Sequence, residues 1–430
     1  MKSLAKEYFS INSKSDLFTL KRQKYFDTYE LEKMLYEAWN YYYEKKKKDG
    51  ENLKPCIVSF AKDYKRNIAV IKMHLQKKNY QFGKWKAVFI PKKDGGSRPL
   101  VITNSINDNL VLKAISYYLL DFFHSLFDSV SSVSFAYQKG KSTRDALIQL
   151  KKIHNPANML LKIDIKHFFD EIDKKILVRL LEQHSIDNYV KDLICKGINP
   201  VIDYSNLKKS DIEKFPHDGI PQGNPISAVL SNLYLYELDM LAVSKKWKMV
   251  RYADDMVFSV SNKEEAMKVL SQVDEYLSEK RNLTIHPLTG SSEKTAIYMN
   301  LKSKHMKYLG VKFEGQKIYP TKECCCQLVG KIKRILQKTI TLVERENELK
   351  KAIAQWCGYY AFTDITNSQI KMMNSAINYQ IIKHKLKLQK VEINVAISKA
   401  RKRQNNRFLK VFHPMKYGVE YSWLNIDEQF

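Results

Sequence analysis

The arrangement of apolar and polar positions changes twice along the chain. Residues 1–84 carry apolar positions at helical spacing among many lysines, and the chain becomes helical and basic again from about residue 316. Between these regions, residues 86–91 and 98–102 are apolar runs that flank a glycine-containing turn, as in a β-hairpin. Strands mixed with helices in this irregular order are typical of an α+β fold, in which helices back an antiparallel sheet.

The central segment, residues 85–315, holds further predicted strands and helices. Residues 159–165 form an apolar run with an acid near its end, as expected of a buried strand. A helix is predicted to open at Gly223, another over residues 264–280, and a pair of strands near residues 306–319. We therefore predict a helical N-terminal extension, an α+β segment and a helical basic C-terminal region, at residues 1–84, 85–315 and 316–430.

Composition adds a constraint on what the chain binds. Of its 430 residues, 44% are hydrophobic and 12% aromatic, so the chain can bury a large core and is not disordered. Its net charge of +27 favours a polyanionic partner, and nucleic acid is the first expectation. No membrane is expected, because the most apolar stretch, residues 110–123, is interrupted by Lys113 and Asp121 and predicts a buried helix. The six cysteines show no C-x-x-C spacing, which indicates thiols in a reducing cytoplasm.

Two adjacent carboxylates, Asp254 and Asp255, lie between two apolar runs that predict strands. Successive side chains of a strand point to opposite faces, so both can serve one site only if the chain turns beside them. Asp164, 90 residues before Asp254, ends another predicted strand and can supply a third carboxylate. Three such carboxylates suit two Mg²⁺ ions about 4 Å apart, and Mn²⁺ can substitute. Taken alone, the pair also suits a solvated turn, and Asp164 also suits a helix cap.

Several motifs follow one another in an order that resembles a known family. Residues 164–170, 220–227 and 252–255 resemble the palm motifs of reverse transcriptases, in the pattern of the bacterial group II intron, retron and defence-associated enzymes. Four further segments are similar to the fingers hairpin, the stretch before the first palm strand, the primer grip and, more weakly, the thumb: residues 90–100, 134–142, 308–310 and 356–360. The resemblance implies a right-hand polymerase with fingers, a palm built on an antiparallel sheet and a helical thumb.

The resemblance also implies a catalytic role for the acidic residues and their neighbours. Asp164 and Asp254 would bind both metal ions, with the Ile165 backbone carbonyl as a further ligand and Asp255 contributing less directly. Phe169 matches the steric gate of the family, an aromatic ring that leaves no room for a ribose 2′-hydroxyl. It therefore favours DNA as the product, although a plain core aromatic is the alternative.

Other positions match residues that bind the incoming nucleotide. Arg98, assisted by Lys92, matches the group that binds the triphosphate, since a guanidinium can fork onto phosphate oxygens. Gln222 and Gly223 match the loop that lines the nucleotide pocket, where a glycine lets the backbone come close. Lys294 matches the lysine that protonates departing pyrophosphate. Solvated surface charges and a simple helix start are the structural alternatives for these residues.

Basic residues concentrate on the predicted C-terminal helices. Two clusters stand out, namely Lys331, Lys333 and Arg334, and Arg401, Lys402 and Arg403. In the first cluster, apolar residues recur at helical spacing with cations between them, as expected of a thumb helix that follows a duplex backbone. We expect both clusters to bind the phosphates of a structured RNA, although a solvated cationic face has the same composition.

The sequence therefore predicts an RNA-directed DNA polymerase that uses dNTPs and two-metal nucleotidyl transfer to copy an RNA template into DNA. The resemblance suggests antiphage defence in the cytoplasm, with a dedicated non-coding RNA as template. Two other functions stay open: an intron maturase-like, RNA-binding splicing cofactor, and template-independent or protein-primed DNA synthesis. For protein priming, any of the 26 tyrosines could supply the primer hydroxyl. A homo-oligomer is also compatible with the sequence.

Overall fold

The computed structural model describes residues 29–48, 53–91, 96–155, 157–216, 218–289, 294–299, 305–384 and 392–408. They form an α+β fold, as the sequence predicts. The helices are α1 (Tyr29–Lys48), α2 (Pro55–Lys62), α3 (Tyr64–Gln76), α4 (Ile106–Phe122), α5 (His124–Ser129), α6 (Thr143–Ile153), α7 (Phe168–Glu171), α8 (Lys174–Gln183), α9 (Asn188–Ile198), α10 (Lys209–Ile212), α11 (Pro225–Ser244), α12 (Lys263–Arg281), α13 (Lys322–Leu336), α14 (Leu342–Tyr360), α15 (Asn367–Lys383) and α16 (Ile393–Phe408). The strands are β1 (Trp85–Pro91), β2 (Ser97–Ile102), β3 (Met159–Asp164), β4 (Ile202–Asp203), β5 (Met249–Tyr252), β6 (Asp255–Val260), β7 (Ala296–Tyr298), β8 (Met306–Tyr308), β9 (Val311–Glu314) and β10 (Lys317–Pro320).

The chain divides into two compact units. The first takes the described residues within 1–142, 162–258 and 267–287, and the second takes those within 143–161, 259–266 and 288–430. The boundaries of these units differ from those of the three regions predicted from the sequence. The three-region division therefore stays a prediction about functional organisation.

Two sheets shape the first unit. Strands β1 and β2 pair antiparallel from Lys86↔Ile102 to Pro91↔Ser97, and β4 pairs parallel with the other edge of β1. This is the predicted hairpin, although residues 92–95 of its turn lie outside the described residues. In the second sheet, β5, β6 and β3 lie side by side in that order. Asp164 and Asp255 are on strands of this second sheet, and Asp254 lies between β5 and β6.

Two buried helices, α4 and α11, pack against each other in the core of the first unit. Helix α4 is the buried helix that the sequence predicts, but it ends at Phe122, and α5 follows as a separate helix. Asn224 caps α11, its Oδ1 accepting a hydrogen bond from Ile226 N at 3.1 Å. Among the described helices, α11 alone is long and apolar enough to cross a membrane, yet 67% of its most apolar window is buried in the protein.

The second unit combines a small sheet with a helical core. Strands β8, β9 and β10 form an antiparallel meander, so three strands occupy the stretch where a pair was predicted. Helices α13 to α16 share an apolar core that includes the buried Cys325 and Cys357. All six cysteines of the chain are free thiols, as their spacing predicts.

Candidate active site

The two adjacent carboxylates lie where strands β5 and β6 join. Tyr252 pairs with Asp255 across the hairpin, so Ala253 and Asp254 form its two-residue turn. Ala253 has a φ of 59°, in the left-handed region that non-glycine residues rarely adopt. Asp254 therefore occupies the turn and Asp255 begins β6. The chain does turn at the carboxylates, as their adjacency requires if they serve one site.

Asp164 ends strand β3, which neighbours β6 in the sheet. Two backbone hydrogen bonds hold the chain here: His286 N donates to Asp164 O at 2.9 Å, and Lys166 N donates to Thr284 O at 2.8 Å. Neither bond uses the carbonyl of Ile165, the predicted backbone ligand. The side chain of Asp164 is buried, and His286 Nε2 lies 3.8 Å from its Oδ2.

Helix capping in this region is done by another acid. Asp173 caps α8, since its Oδ1 accepts hydrogen bonds from Lys175 N at 2.8 Å and Ile176 N at 3.2 Å. The residue that precedes the one-turn helix α7 is His167, whose side chain makes no capping bond. Asp164 is therefore not the N-cap residue of α7 or of α8.

The three carboxylates influence one another electrostatically. Burial, together with the negative charges of Asp164 and Asp254, raises the pKa of Asp255 to about 7, while the Lys162 ammonium acts in the opposite direction. Lys162 Nζ lies 3.6 Å from Asp255 Oδ1. Mutual repulsion of this kind is relieved when a cation binds among the carboxylates.

A divalent metal ion fits this group by its donor chemistry, because Mg²⁺ prefers carboxylate and carbonyl oxygens. Across the described ranges, however, no three His, Cys, Asp or Glu side chains are close enough to hold an ion by themselves. Asp164, Asp254 and Asp255 interact electrostatically and are named the acidic cluster, and Mg²⁺ or Mn²⁺ stays a prediction for it.

A cavity of about 920 Å³ in the first unit brings four predicted nucleotide-binding residues together, namely Arg98, Phe169, Gln222 and Gly223. Its volume is in the range of small-molecule sites. The two adjacent phenylalanines have different environments. Phe168 is only 3% exposed and packs in the core, whereas Phe169 lines the cavity, where a steric gate would have to be.

The loop of residues 219–223 is bonded to the turn that carries Phe169. Ile220 N donates to Phe169 O at 2.8 Å, and Gln222 Nε2 donates to Asp170 Oδ1 at 3.3 Å. Burial raises the pKa of Asp170, whereas His167, the Gln222 hydrogen bond and Arg98 act in the opposite direction. Asp170, which the sequence analysis did not identify, therefore orients the Gln222 amide.

Gly219 is a second residue that the sequence analysis missed. Its φ is +77°, and a Cβ at this position would lie 2.3 Å from Phe169 O and 2.5 Å from Asp170 O. No side chain fits there, so the loop can approach the Phe169 turn only at a glycine. The signal was the pair Asp218-Gly219 directly before the Ile-Pro-Gln-Gly motif, since Asp-Gly marks turns.

The cavity has further walls that sequence motifs did not indicate. Tyr137 lines it, and burial followed by the negative charge of Asp254 raises the pKa of this tyrosine. Glu30 and Glu37 of α1 line the cavity as well, as does Lys113 of α4. Part of the predicted N-terminal extension therefore contributes to the same cavity as the predicted nucleotide-binding residues.

The remaining predicted residues lie elsewhere. Lys92 is outside the described residues, and Lys294 is an exposed residue of the second unit. Their roles in binding triphosphate and protonating pyrophosphate stay predictions.

The predicted nucleic-acid-binding cations all belong to the second unit. Lys331, Lys333 and Arg334 are exposed on α13, and Lys402 is exposed on α16. Arg401 has a local structural role, because its Nε donates to Ala361 O at 3.0 Å and its Nη2 to Thr363 O at 2.7 Å. The side chain of Arg403 is outside what the structure describes.

The central part of this chain is similar to known proteins. A sequence model of the family described as reverse transcriptase (RNA-dependent DNA polymerase) matches residues 90–313. The group II intron-encoded protein LtrA of Lactococcus lactis subsp. cremoris is 27% identical over 236 residues, which cover 50% of this chain and 37% of LtrA. The retron Ec83 reverse transcriptase of Escherichia coli is 26% identical over 129 residues, which cover 30% of this chain and 39% of that protein.

Among solved structures, telomerase from Candida albicans in complex with a fragment of telomeric RNA aligns with a TM-score of 0.44 at 11% identity, covering 79% of this chain and 68% of that one. The chain spans less than half the length of the curated relatives it matches. The family match covers just over half of the 430 residues and contains the acidic cluster together with Arg98, Phe169, Gln222 and Gly223. This chain therefore belongs to the reverse transcriptase family.

Proposed function

We propose that this chain is an RNA-directed DNA polymerase, a nucleotidyltransferase that adds dNTPs to a DNA end paired with an RNA template. The observation that carries the proposal is the acidic cluster at the β5–β6 hairpin, in the same unit as a cavity lined by Phe169 and Arg98. The family match over residues 90–313 supports the same activity.

The acidic cluster would hold the metal ions. Asp164 and Asp254 are the proposed ligands of two Mg²⁺ ions, with Asp255 and the Ile165 carbonyl as additional donors. Bound ions of this kind supply charge stabilisation for in-line displacement at the triphosphate and activate the attacking 3′-hydroxyl.

Residues of the cavity would bind and select the nucleotide. The Arg98 guanidinium can donate two parallel hydrogen bonds to phosphate oxygens. The Phe169 ring would occupy the space of a ribose 2′-hydroxyl and so exclude ribonucleotides. The Gln222 amide, oriented by Asp170, can bond the nucleotide or the template, and Gly223 has a φ of +85° that allows the backbone to come close.

A primer-extension assay tests the activity. Purified protein with Mg²⁺, a DNA primer on an RNA template and dNTPs is expected to extend the primer, and Asp254→Asn is expected to abolish extension. Asp274→Asn is the matched control, because Asp274 is an exposed acid on α12 and should leave extension unchanged. Wild-type protein that is folded but extends no primer would contradict the proposal.

We further propose that the template is a structured non-coding RNA and that the role is antiphage defence in the cytoplasm. The net charge of +27 and the similarity of the motifs to defence-associated enzymes support this extension. Sequencing of the co-purified nucleic acid should recover one dominant RNA, and cell fractionation should find the protein in the cytoplasm. Phage should plate less efficiently on cells with the wild-type protein than on cells with Asp254→Asn, and equal plating would contradict a defence role that needs polymerisation.

An intron-splicing cofactor that chiefly binds RNA is the second candidate, because the LtrA match covers half of this chain. It predicts that Asp254→Asn combined with Asp255→Asn leaves the biological function intact, whereas total loss of that function would exclude the splicing cofactor.

Protein-primed synthesis would leave new DNA covalently attached to the protein on a denaturing gel. DNA that always starts from a nucleic-acid primer would exclude protein priming.

A further inference from the structure

Arg251 is a fully buried cation in strand β5, with only 1% of its surface exposed. A guanidinium carries five N–H donors, no acceptor and a permanent charge, so its burial requires five acceptors. All five are present. Nε donates to Asp239 Oδ1 at 2.7 Å, Nη2 donates to Asp239 Oδ2 and to Ser134 Oγ at 2.8 Å, and Nη1 donates to Asn232 Oδ1 at 3.2 Å and to Ala253 O at 2.8 Å.

The bond to Ala253 O reaches the turn of the hairpin itself. Ala253 holds the left-handed φ of 59°, and its carbonyl belongs to the peptide that leads into Asp254. Because a peptide group is planar, fixing this carbonyl also fixes the amide of Asp254. The direction in which Asp254 leaves the turn therefore depends on a donor supplied by Arg251.

The backbone of Arg251 and the side chain of Asn232 hold one wall of the cavity. Arg251 N donates to Val133 O at 2.7 Å, and Phe135 N donates back to Arg251 O at 3.0 Å. Asn232 Nδ2 donates to Ala136 O at 2.7 Å. These bonds fix the stretch directly before Tyr137, which lines the cavity.

We propose that Arg251 and Asp239 act as a positioning pair, which holds the Ala253–Asp254 turn in the geometry that catalysis requires and aligns it with the Tyr137 wall of the cavity. The catalytic part of this inference rests on the proposed polymerase activity, whereas the ordering of the hairpin does not.

A double substitution separates positioning from stability. Replacing both partners of a buried ion pair by apolar residues of similar volume is often neutral for stability. No apolar side chain can donate to Ala253 O, so Arg251→Met with Asp239→Leu should keep the fold and release the turn. Arg251→Lys is a second variant, because it keeps the charge and loses the forked donors.

The chain offers a control in a second ion pair of helix α11, whose cation comes from the end of α12. Arg281 is 4% exposed, and its Nη2 donates to Glu237 Oε2 at 2.7 Å, two residues before Asp239. Its Nε donates to Tyr234 O at 2.6 Å. Arg281→Met with Glu237→Leu therefore removes another ion pair of α11, with a buried cation and a half-exposed acid, whose bonds lead away from the hairpin.

Hydrogen–deuterium exchange of the metal-free protein measures the positioning directly. We expect the amides of residues 253–256 to exchange at least about tenfold faster in the Arg251 variants, and at the wild-type rate in the control. The maximal rate of single-turnover primer extension should fall about 100-fold in the Arg251→Met, Asp239→Leu variant. The dNTP concentration that gives half of this rate and the Kd for the primer–template should stay unchanged, as expected for a misplaced reacting group.

Two results would overturn the proposal: wild-type exchange of residues 253–256 in the Arg251 variants, or a wild-type extension rate in the double variant. If the wild-type protein itself extends no primer, the proposed polymerase activity is wrong. Hydrogen–deuterium exchange alone then decides whether Arg251 positions the hairpin.

Discussion

Gly219→Ala should displace the turn that carries Phe169 and destabilise the first unit. The added Cβ would lie 2.3 Å from Phe169 O and 2.5 Å from Asp170 O, far inside van der Waals contact. Both atoms belong to the backbone, so they cannot move aside as the end of a flexible side chain can. The loop must separate from the turn, which breaks the 2.8 Å bond from Ile220 N to Phe169 O.

Three contributions set the magnitude of the effect. The φ of +77° costs an alanine about 1–2 kcal/mol. Relief of the steric overlap costs about 1–3 kcal/mol, as in an overpacked core. Loss of the backbone hydrogen bond removes about 1 kcal/mol. We therefore expect the free energy of unfolding to fall by about 4 kcal/mol.

Gly140→Ala is the matched control, because Gly140 has a φ of +79° and no atom within 4 Å of the added Cβ. It carries the conformational cost alone, about 1.5 kcal/mol. At about 3 °C per kcal/mol, thermal unfolding should shift down by about 12 °C for Gly219→Ala and about 5 °C for Gly140→Ala. Circular dichroism follows the transition, and discrimination between dNTP and rNTP is measured below the melting range.

The two variants give two results that would contradict this reasoning. Equal shifts for the two variants would show that the loop does not press against the Phe169 turn, and the account of Gly219 would be wrong. A large fall in the unfolding temperature of Gly219→Ala with unchanged nucleotide discrimination would confirm that the loop packs against the turn. It would reject the idea that this packing positions Phe169.

Three further predictions follow from the site. Phe169→Ala should reduce the discrimination between dNTP and rNTP at least about tenfold. Phe168→Ala, in the core, should cost about 3–5 kcal/mol of stability and leave this discrimination unchanged. Equal discrimination in Phe169→Ala and the wild-type protein would reject the steric gate. Excess EDTA should abolish primer extension and added Mg²⁺ or Mn²⁺ should restore it, so extension in EDTA would contradict metal dependence. Replacing Lys331, Lys333 and Arg334 by glutamine should reduce the salt slope of RNA binding by about one unit per cation, and an unchanged slope would identify them as solvated charges.

Local sequence patterns predicted a large part of the fold. The β1–β2 hairpin, strand β3, the β5–β6 hairpin and helix α12 all lie where apolar periodicity and turn residues place them. These features are local, since side-chain direction repeats every two residues in a strand and about every 3.6 in a helix. The predicted strand pair near residues 306–319 is instead a three-strand meander, because Gly310 and Gly315 both adopt positive φ and each allows a turn.

The acidic cluster was also accessible from the sequence, because two adjacent carboxylates in strand-like surroundings can share a site only at a turn. The sequence alone could not decide which of Phe168 and Phe169 faces the cavity. Both belong to the one-turn helix α7, and the choice depends on what packs against that helix. The loop that approaches it, at Gly219, lies 50 residues further along the chain than Phe169.

The role of Arg251 shows the same limit most clearly. In the sequence it is one cation among 73 lysines and arginines. Its acceptors come from Ser134, Asn232, Asp239 and Ala253, and the first of these is 117 residues away. Periodicity reports which face of an element is apolar, but a buried charge is satisfied only by groups that folding brings together. The sequence therefore determined the elements and the acidic cluster, and the tertiary structure decided which side chains hold that cluster in place.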